Sequence, residues 1–180
     1  VKALGYATLF YDKINTSICL GLYNNILYRS HMIRRDKAEK YYELAQHQAN
    51  IFSKDPSTKV GAIILAQKSL QILSLGYNGM PRGIDETCES RWERPQKYKY
   101  VEHAERNALY NACRHGTPLE GAIAVVTMFP CTDCARALIQ SGIQCVVTSP
   151  PTLQCDRWGA DFEVSKEMLE EARVELFYIE

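Results

Sequence analysis

The sequence has no surplus of either charge: 21 Lys and Arg are matched by 21 Asp and Glu, so the formal net charge at pH 7 is zero. A protein that lives on a polyphosphate backbone carries a basic excess as a rule. The balance therefore favours a small-molecule substrate over nucleic acid. Long apolar runs are missing too. The most apolar stretch, near the N-terminus, is interrupted by Asp12 and Lys13, which is too broken for a bilayer span, and no basic start with a small-residue cleavage site follows. There is no internal repeat and no low-complexity segment. A paired cysteine framework is absent as well. The seven cysteines are odd in number and scattered, which points away from a disulfide-built secreted domain and toward a reduced, cytoplasmic setting. In that setting thiolates are free to bind metal.

The 180 residues suit one domain with its own core. Residues 1–31 have a different texture from the rest, and Ser30-His31-Met32 resembles a cloning junction. They are read as a non-core N-terminal extension or an appended segment, with the single domain spanning 32–180.

Periodicity supplies the elements. Tyr41, Leu44, Ala45, Ala49 and Phe52 recur at helical spacing, with Asp36 as the expected cap. The runs VGAIIL and ILSLGY read as a hairpin. A long polar stretch from Asn78 to Tyr100 reads as a functional loop. Three strands follow, AIAVVTM, QCVVTS and VELFYI, each preceded by a helix. Such alternation forces parallel neighbours, and the opening hairpin makes the sheet mixed. The fold class is α/β: five strands with helices on both faces.

Four residues carry chemistry. Cys131 and Cys134 are three apart and share a face at the first turn of one helix. Unpaired N–H groups there lower thiol pKa. His103, at the start of another helix, adds a nitrogen. A His/Cys/Cys set suits zinc, and three protein ligands leave a fourth position open, as in catalytic sites. Zinc moves the pKa of a water there from about 15.7 toward roughly 7. Glu105, two residues from His103, is placed to shuttle the proton. Taken singly, the C-x-x-C and the His-x-Glu are weak signals, each readable as ordinary helix residues; their combination, each at a helix start, is specific.

These residues spell His103-Ala104-Glu105, then Pro130-Cys131-Thr132-Asp133-Cys134. The sequence thereby resembles the zinc-dependent cytidine/deoxycytidylate deaminase superfamily, from about Ala38 to the C-terminus. SKDPSTKVGA (residues 53–62), GYNGMPRG (76–83) and HAERNA (103–108) are similar to the deoxycytidylate (dCMP) deaminase branch. The region RWGADFEVSKEMLEEARVEL departs from that branch and leaves the exact substrate open. The resemblance implies a three-layer α/β/α fold, a Zn2+ cofactor and hydrolysis of dCMP to dUMP and ammonia. It also implies a homo-oligomer (dimer or hexamer) and dCTP or dTTP as effectors. By the same resemblance, Asn78 would hold the sugar and the Ala104 N–H the pyrimidine carbonyl. The alternatives are another cytosine nucleotide or nucleoside, a base within tRNA or single-stranded DNA, and a zinc-stabilised binding module without catalysis.

A nucleotide substrate needs phosphate contacts. Lys54 is the leading candidate and Arg82 the second, for a substrate or effector phosphate; Arg106 is a third. For each, the bland reading is a surface ion pair or turn residue. Tyr98, Tyr100, Phe129 and Trp158 could wall a base pocket or simply pack. Cys88 and His115 offer no complete second metal site, and Cys113 and Cys145 read as core residues.

Overall fold

A computed structural model describes residues 32–154 and 157–180. The reading of residues 1–31, and Cys19 and Cys155, lie outside the described residues. The elements are α1 (Arg35–Phe52), β1 (Gly61–Leu65), β2 (Ile72–Tyr77), α2 (Lys97–Tyr100), α3 (Ala104–Arg114), β3 (Ile123–Val126), α4 (Thr132–Gln140), β4 (Cys145–Thr148), α5 (Gly159–Glu171) and β5 (Glu175–Tyr178).

The sheet runs β2-β1-β3-β4-β5. β1 is antiparallel to both of its neighbours, whereas β3, β4 and β5 are mutually parallel. The mixed five-stranded sheet is thus the expected one. β1, β3 and β4 are buried at every position, which is why they read as continuous apolar runs rather than alternating ones. Edge strand β2 does alternate: Ser74 and Gly76 are buried, Leu75 and Tyr77 exposed.

Two glycines set the layers. A Cβ on Gly61 would lie 2.0 Å from the Ala45 carbonyl oxygen of α1, and one on Gly76 would lie 2.2 Å from the Ala104 carbonyl oxygen of α3. Gly76 pairs with Ala62, the residue after Gly61, so the two glycines face opposite sides of the sheet. Helix α1 therefore covers one face and α3 the other, each at backbone contact distance. On the α3 side, Ala108, Leu138 of α4 and Leu169 of α5 share one apolar cluster with Ile64, Val126 and Val146.

Three local expectations change. Asp36 does not cap α1; Arg34 is the cap residue, and Asp36 sits in the first turn, accepting from the Arg34 guanidinium at 2.7 Å. The stretch PPTLQCDRWGADF (residues 150–162) reads in the sequence as a loop, but helix α5 begins inside it at Gly159, where Phe162 packs edge-on against Phe129. The 78–100 stretch is not wholly irregular: it holds a 3₁₀ turn at Glu89–Arg91 and the short α2, whose Lys97 is buried. No helix among the described residues is long and apolar enough to cross a membrane.

Candidate active site

His103 is the N-cap residue of α3 and Cys131 that of α4, and neither side chain makes a capping hydrogen bond. Both are left free to turn toward each other. His103 Nδ1 lies 3.4 Å from Cys131 Sγ and 3.5 Å from Cys134 Sγ, and all three donor atoms fall within 4.8 Å of one another. Tetrahedral zinc with ordinary bond lengths separates its nitrogen and sulfur ligands by about 3.6 Å and two sulfurs by about 3.8 Å. The donor set, borderline-soft and preassembled, fits that ion.

The electrostatics agree. Cys131 is drawn down to about 4, first by the hydrogen bond from Cys134 and, against the cost of burial, by His103. The same bond and burial push Cys134 up. The shared hydrogen bond favours the charged form at Cys131, and a bound cation would favour it at both thiols.

Glu105 follows His103 by one turn-start residue and is 4 % exposed. Burial raises its carboxyl to about 6, with the His103 charge opposing. A carboxyl near neutrality takes up and releases protons at working pH. Both residues, with Cys131, line an open cleft of about 150 Å³. Ala104 lines it too. As the first residue of α3, its N–H has no intrahelical acceptor. Tyr98, Phe129 and Trp158 form the walls and also pack: Tyr98 meets Trp158 edge-on at 6.4 Å, and Trp158 stacks on Phe162 at 6.3 Å. Tyr100 is outside the cleft, beneath the Arg91 guanidinium at 5.0 Å.

Asn78 lines the cleft, but its amide is committed within the protein. Its Oδ1 accepts from Ser53 Oγ (2.8 Å) and the Val60 N–H (2.8 Å). Its Nδ2 donates to Asp55 Oδ2 (2.9 Å) and the Thr58 carbonyl (2.8 Å). Every hydrogen-bonding position of the amide is filled, so here Asn78 builds the wall. Its neighbour Asp55 is fully buried and receives Lys97.

The phosphate candidates are not brought to the cleft. Lys54 is exposed and paired with Glu86. Arg82 bonds Asn111 on α3. Arg106 pairs with Glu102 and reaches Asp133 at 3.4 Å and does not line the cleft. The cations that do line the cleft are Arg94, Lys97 and Arg157, and sequence reasoning missed all three. They sit in irregular or short segments, where no periodicity says which way a side chain turns. Among the described residues, His103, Cys131 and Cys134 are the one group of His, Cys and acidic side chains able to hold a metal; Cys88 and His115 form no second site. Cys145 is buried as expected, but Cys113 is exposed.

The family model for the cytidine and deoxycytidylate deaminase zinc-binding region matches residues 35–149. A deaminase of Aliivibrio fischeri, itself uncharacterised, is 39% identical over 143 residues, covering 79% of this chain and 92% of that one. The deoxycytidylate deaminase of Homo sapiens is 40% identical over 102 residues, about half of each chain (53% and 54%). Among solved structures, the dCMP deaminase of cyanophage S-TIM5, in complex with dCMP and dUMP, superposes with a TM-score of 0.66 at 26% identity, over 82% of this chain and 99% of that one. With the family model running through both ligand-bearing helix starts, at His103 and Cys131, the chain belongs to the cytidine and deoxycytidylate deaminase zinc-binding family.

Proposed function

We propose that this chain is a zinc-dependent hydrolase that converts dCMP to dUMP and ammonia, with His103, Cys131 and Cys134 as metal ligands and Glu105 as the proton carrier. The observation that carries the reading is the buried Glu105 carboxyl beside the His/Cys/Cys donors in a cleft with aromatic walls. A purely structural metal site has no use for such a carboxyl. The names of the human enzyme and of the cyanophage dCMP deaminase support the substrate.

Zinc, held by these donors, supplies the Lewis acidity that makes water nucleophilic near neutral pH. The protein's own groups do the rest. The Ala104 N–H donates to the pyrimidine carbonyl and sets the depth of the ring. Glu105 takes one proton from the attacking water and delivers it to the ring nitrogen beside the amino-bearing carbon. It then carries the remaining hydroxyl proton to the amino group, which leaves as ammonia while the new carbonyl closes. One water is consumed, and Glu105 ends as it began.

The same reading includes a cytoplasmic setting, which keeps the two ligand thiols reduced, and a homo-oligomer. For the oligomer, the support is the apolar edge of β2, where Ile72, Leu75 and Tyr77 are exposed and Phe52 stacks on Tyr77 at 5.7 Å. Control by dCTP and dTTP also belongs to it, with Arg82, away from the cleft, as the contact.

The test is ultraviolet detection of deamination for dCMP, CMP, dCTP, deoxycytidine and a cytosine-containing oligonucleotide, with Glu105→Ala as control. Preferential turnover of dCMP, abolished in the variant, supports the reading. Inert monomers with zinc still bound would sink it in favour of nucleic-acid or non-catalytic roles.

A further inference from the structure

The cleft contains an electrostatic imbalance that the deamination chemistry does not use. Its charged lining residues are Asp55, Glu105, Arg94, Lys97, Arg157 and His103. Lys97 and Asp55 cancel one another in a buried pair at 2.6 Å. Glu105 and His103 belong to the metal end. What is left is Arg94 and Arg157, both exposed, two positive charges on the rim of a chain whose net charge is zero. Among the described residues neither has a carboxylate partner. The other cations beside the site are matched, Lys54 by Glu86 and Arg106 by Glu102.

The two guanidiniums also feel each other. Arg157 is held below its ordinary value by loss of solvation and then by the charge of Arg94. Two like charges brought together at a binding cleft, with no anion between them, gain from a ligand that supplies one. Arg157 is placed for it as well. Its guanidinium carbon lies 4.8 Å from the Tyr98 ring centre and 5.5 Å from that of Trp158. These cation–π contacts hold the guanidinium at the cleft without neutralising its charge, which remains available to an oxyanion.

We propose that Arg94 and Arg157 form a two-armed clamp for the terminal 5′-phosphate of the substrate, a phosphomonoester dianion. The inference rests on the nucleotide reading above and deepens it. The clamp takes the place of Lys54 as the phosphate contact and makes the rim, rather than the metal end, the part of the cleft that separates nucleotide from nucleoside. A phosphomonoester at the end of a nucleotide carries close to two negative charges at neutral pH, which the pair matches. An internal phosphodiester carries one.

The experiment compares kcat/KM for dCMP and deoxycytidine in the wild type, Arg94→Ala, Arg157→Ala and Arg157→Lys. In parallel, calorimetry measures binding of dUMP and deoxyuridine to the zinc-loaded proteins. The dCMP-to-deoxycytidine ratio is expected to fall about 10- to 100-fold for each alanine variant, the span of a charge-assisted hydrogen bond. Arg157→Lys, which keeps the charge and loses the fork, should fall between. Equal losses on both substrates, with the ratio unmoved, would overturn the clamp, as would wild-type protein binding dUMP no better than deoxyuridine. An oligonucleotide with an internal cytosine that depends on both arginines as strongly as dCMP does would overturn the terminal-phosphate assignment. If dUMP binding depends on the arginines yet dCMP is not deaminated, the clamp stands and the proposed reaction fails.

Discussion

The Lys97 ammonium and the Asp55 carboxylate meet at 2.6 Å, forty-two positions apart in sequence and both out of solvent. Lys97 also donates to Ser57 Oγ at 2.7 Å. The pair ties the long 78–100 segment to the turn before β1, and through Asp55 Oδ2 it reaches the Asn78 amide. A buried pair is not by itself a source of stability, but breaking it leaves a charge without a partner. Lys97→Met should therefore cost about 3–5 kcal/mol in urea unfolding. Adding Asp55→Asn should recover part of that loss. Additive losses in the double variant would show that the two residues act independently.

Asp55 also gives an acid dependence. Burial alone would raise its pKa, but the Lys97 hydrogen bond and the Ser57 and Thr58 N–H groups outweigh it, and the carboxyl sits below its ordinary value of 3.8. A carboxylate depressed in the folded state stabilises fully above its unfolded pKa, and the contribution is lost as pH falls through the folded one. Wild type should thus lose stability below about pH 4 more steeply than Asp55→Asn. The comparison cancels acid effects common to both proteins, such as protonation of the metal ligands. Parallel Tm curves for the two proteins would remove Asp55 as the cause.

Gly76 offers a way to disturb the catalytic helix from behind. Its missing Cβ is 2.2 Å from the Ala104 carbonyl oxygen and 2.4 Å from the Ala108 nitrogen, both backbone atoms that cannot rotate aside. Gly76→Ala must push the start of α3 off the sheet, carrying His103 and Glu105 with it. Gly61→Ala makes an equally close clash, but against α1 on the opposite face. Both should destabilise by at least the roughly 1–3 kcal/mol of an overpacked core. Only Gly76→Ala should also lower zinc content per folded chain. Equal zinc content in both would mean that the helix start tolerates the shift.

The metal end was legible in the sequence because its spacing is local. His-x-Glu and Cys-x-x-C each sit in one helix start, and helix geometry alone aligns their members. The mixed sheet, an opening hairpin followed by three parallel strands, followed from the alternation of helices and apolar runs. The cations that line the cleft were not legible, for a matching reason. Lys54 looked apt beside the first strand but turns outward to Glu86, while Arg94 and Arg157 come from irregular segments more than sixty positions apart. Which way Arg157 faces is decided by tertiary packing on Tyr98 and Trp158. Asn78 shows the limit of reading by resemblance: the motif marks the residue as important, but the bonds it makes are visible in the fold alone.

Asn78 then makes the last prediction. Its amide holds Ser53 Oγ, the Val60 N–H, Asp55 Oδ2 and the Thr58 carbonyl together at the base of the cleft. Asn78→Ala strips partners from buried groups that water reaches poorly, each costing about 1–3 kcal/mol. Asn78→Asp keeps the size but turns a donor toward Asp55 into a second carboxylate, which repels the first. Both variants should lower Tm, and Asn78→Asp should regain part of its loss on acidification as one of the two carboxylates takes up a proton. A residue whose chief role is to grip the sugar would behave differently: KM for dCMP would rise in Asn78→Ala with Tm unchanged. Measuring Tm at two pH values beside KM separates the two roles, and an unchanged Tm would return Asn78 to the substrate.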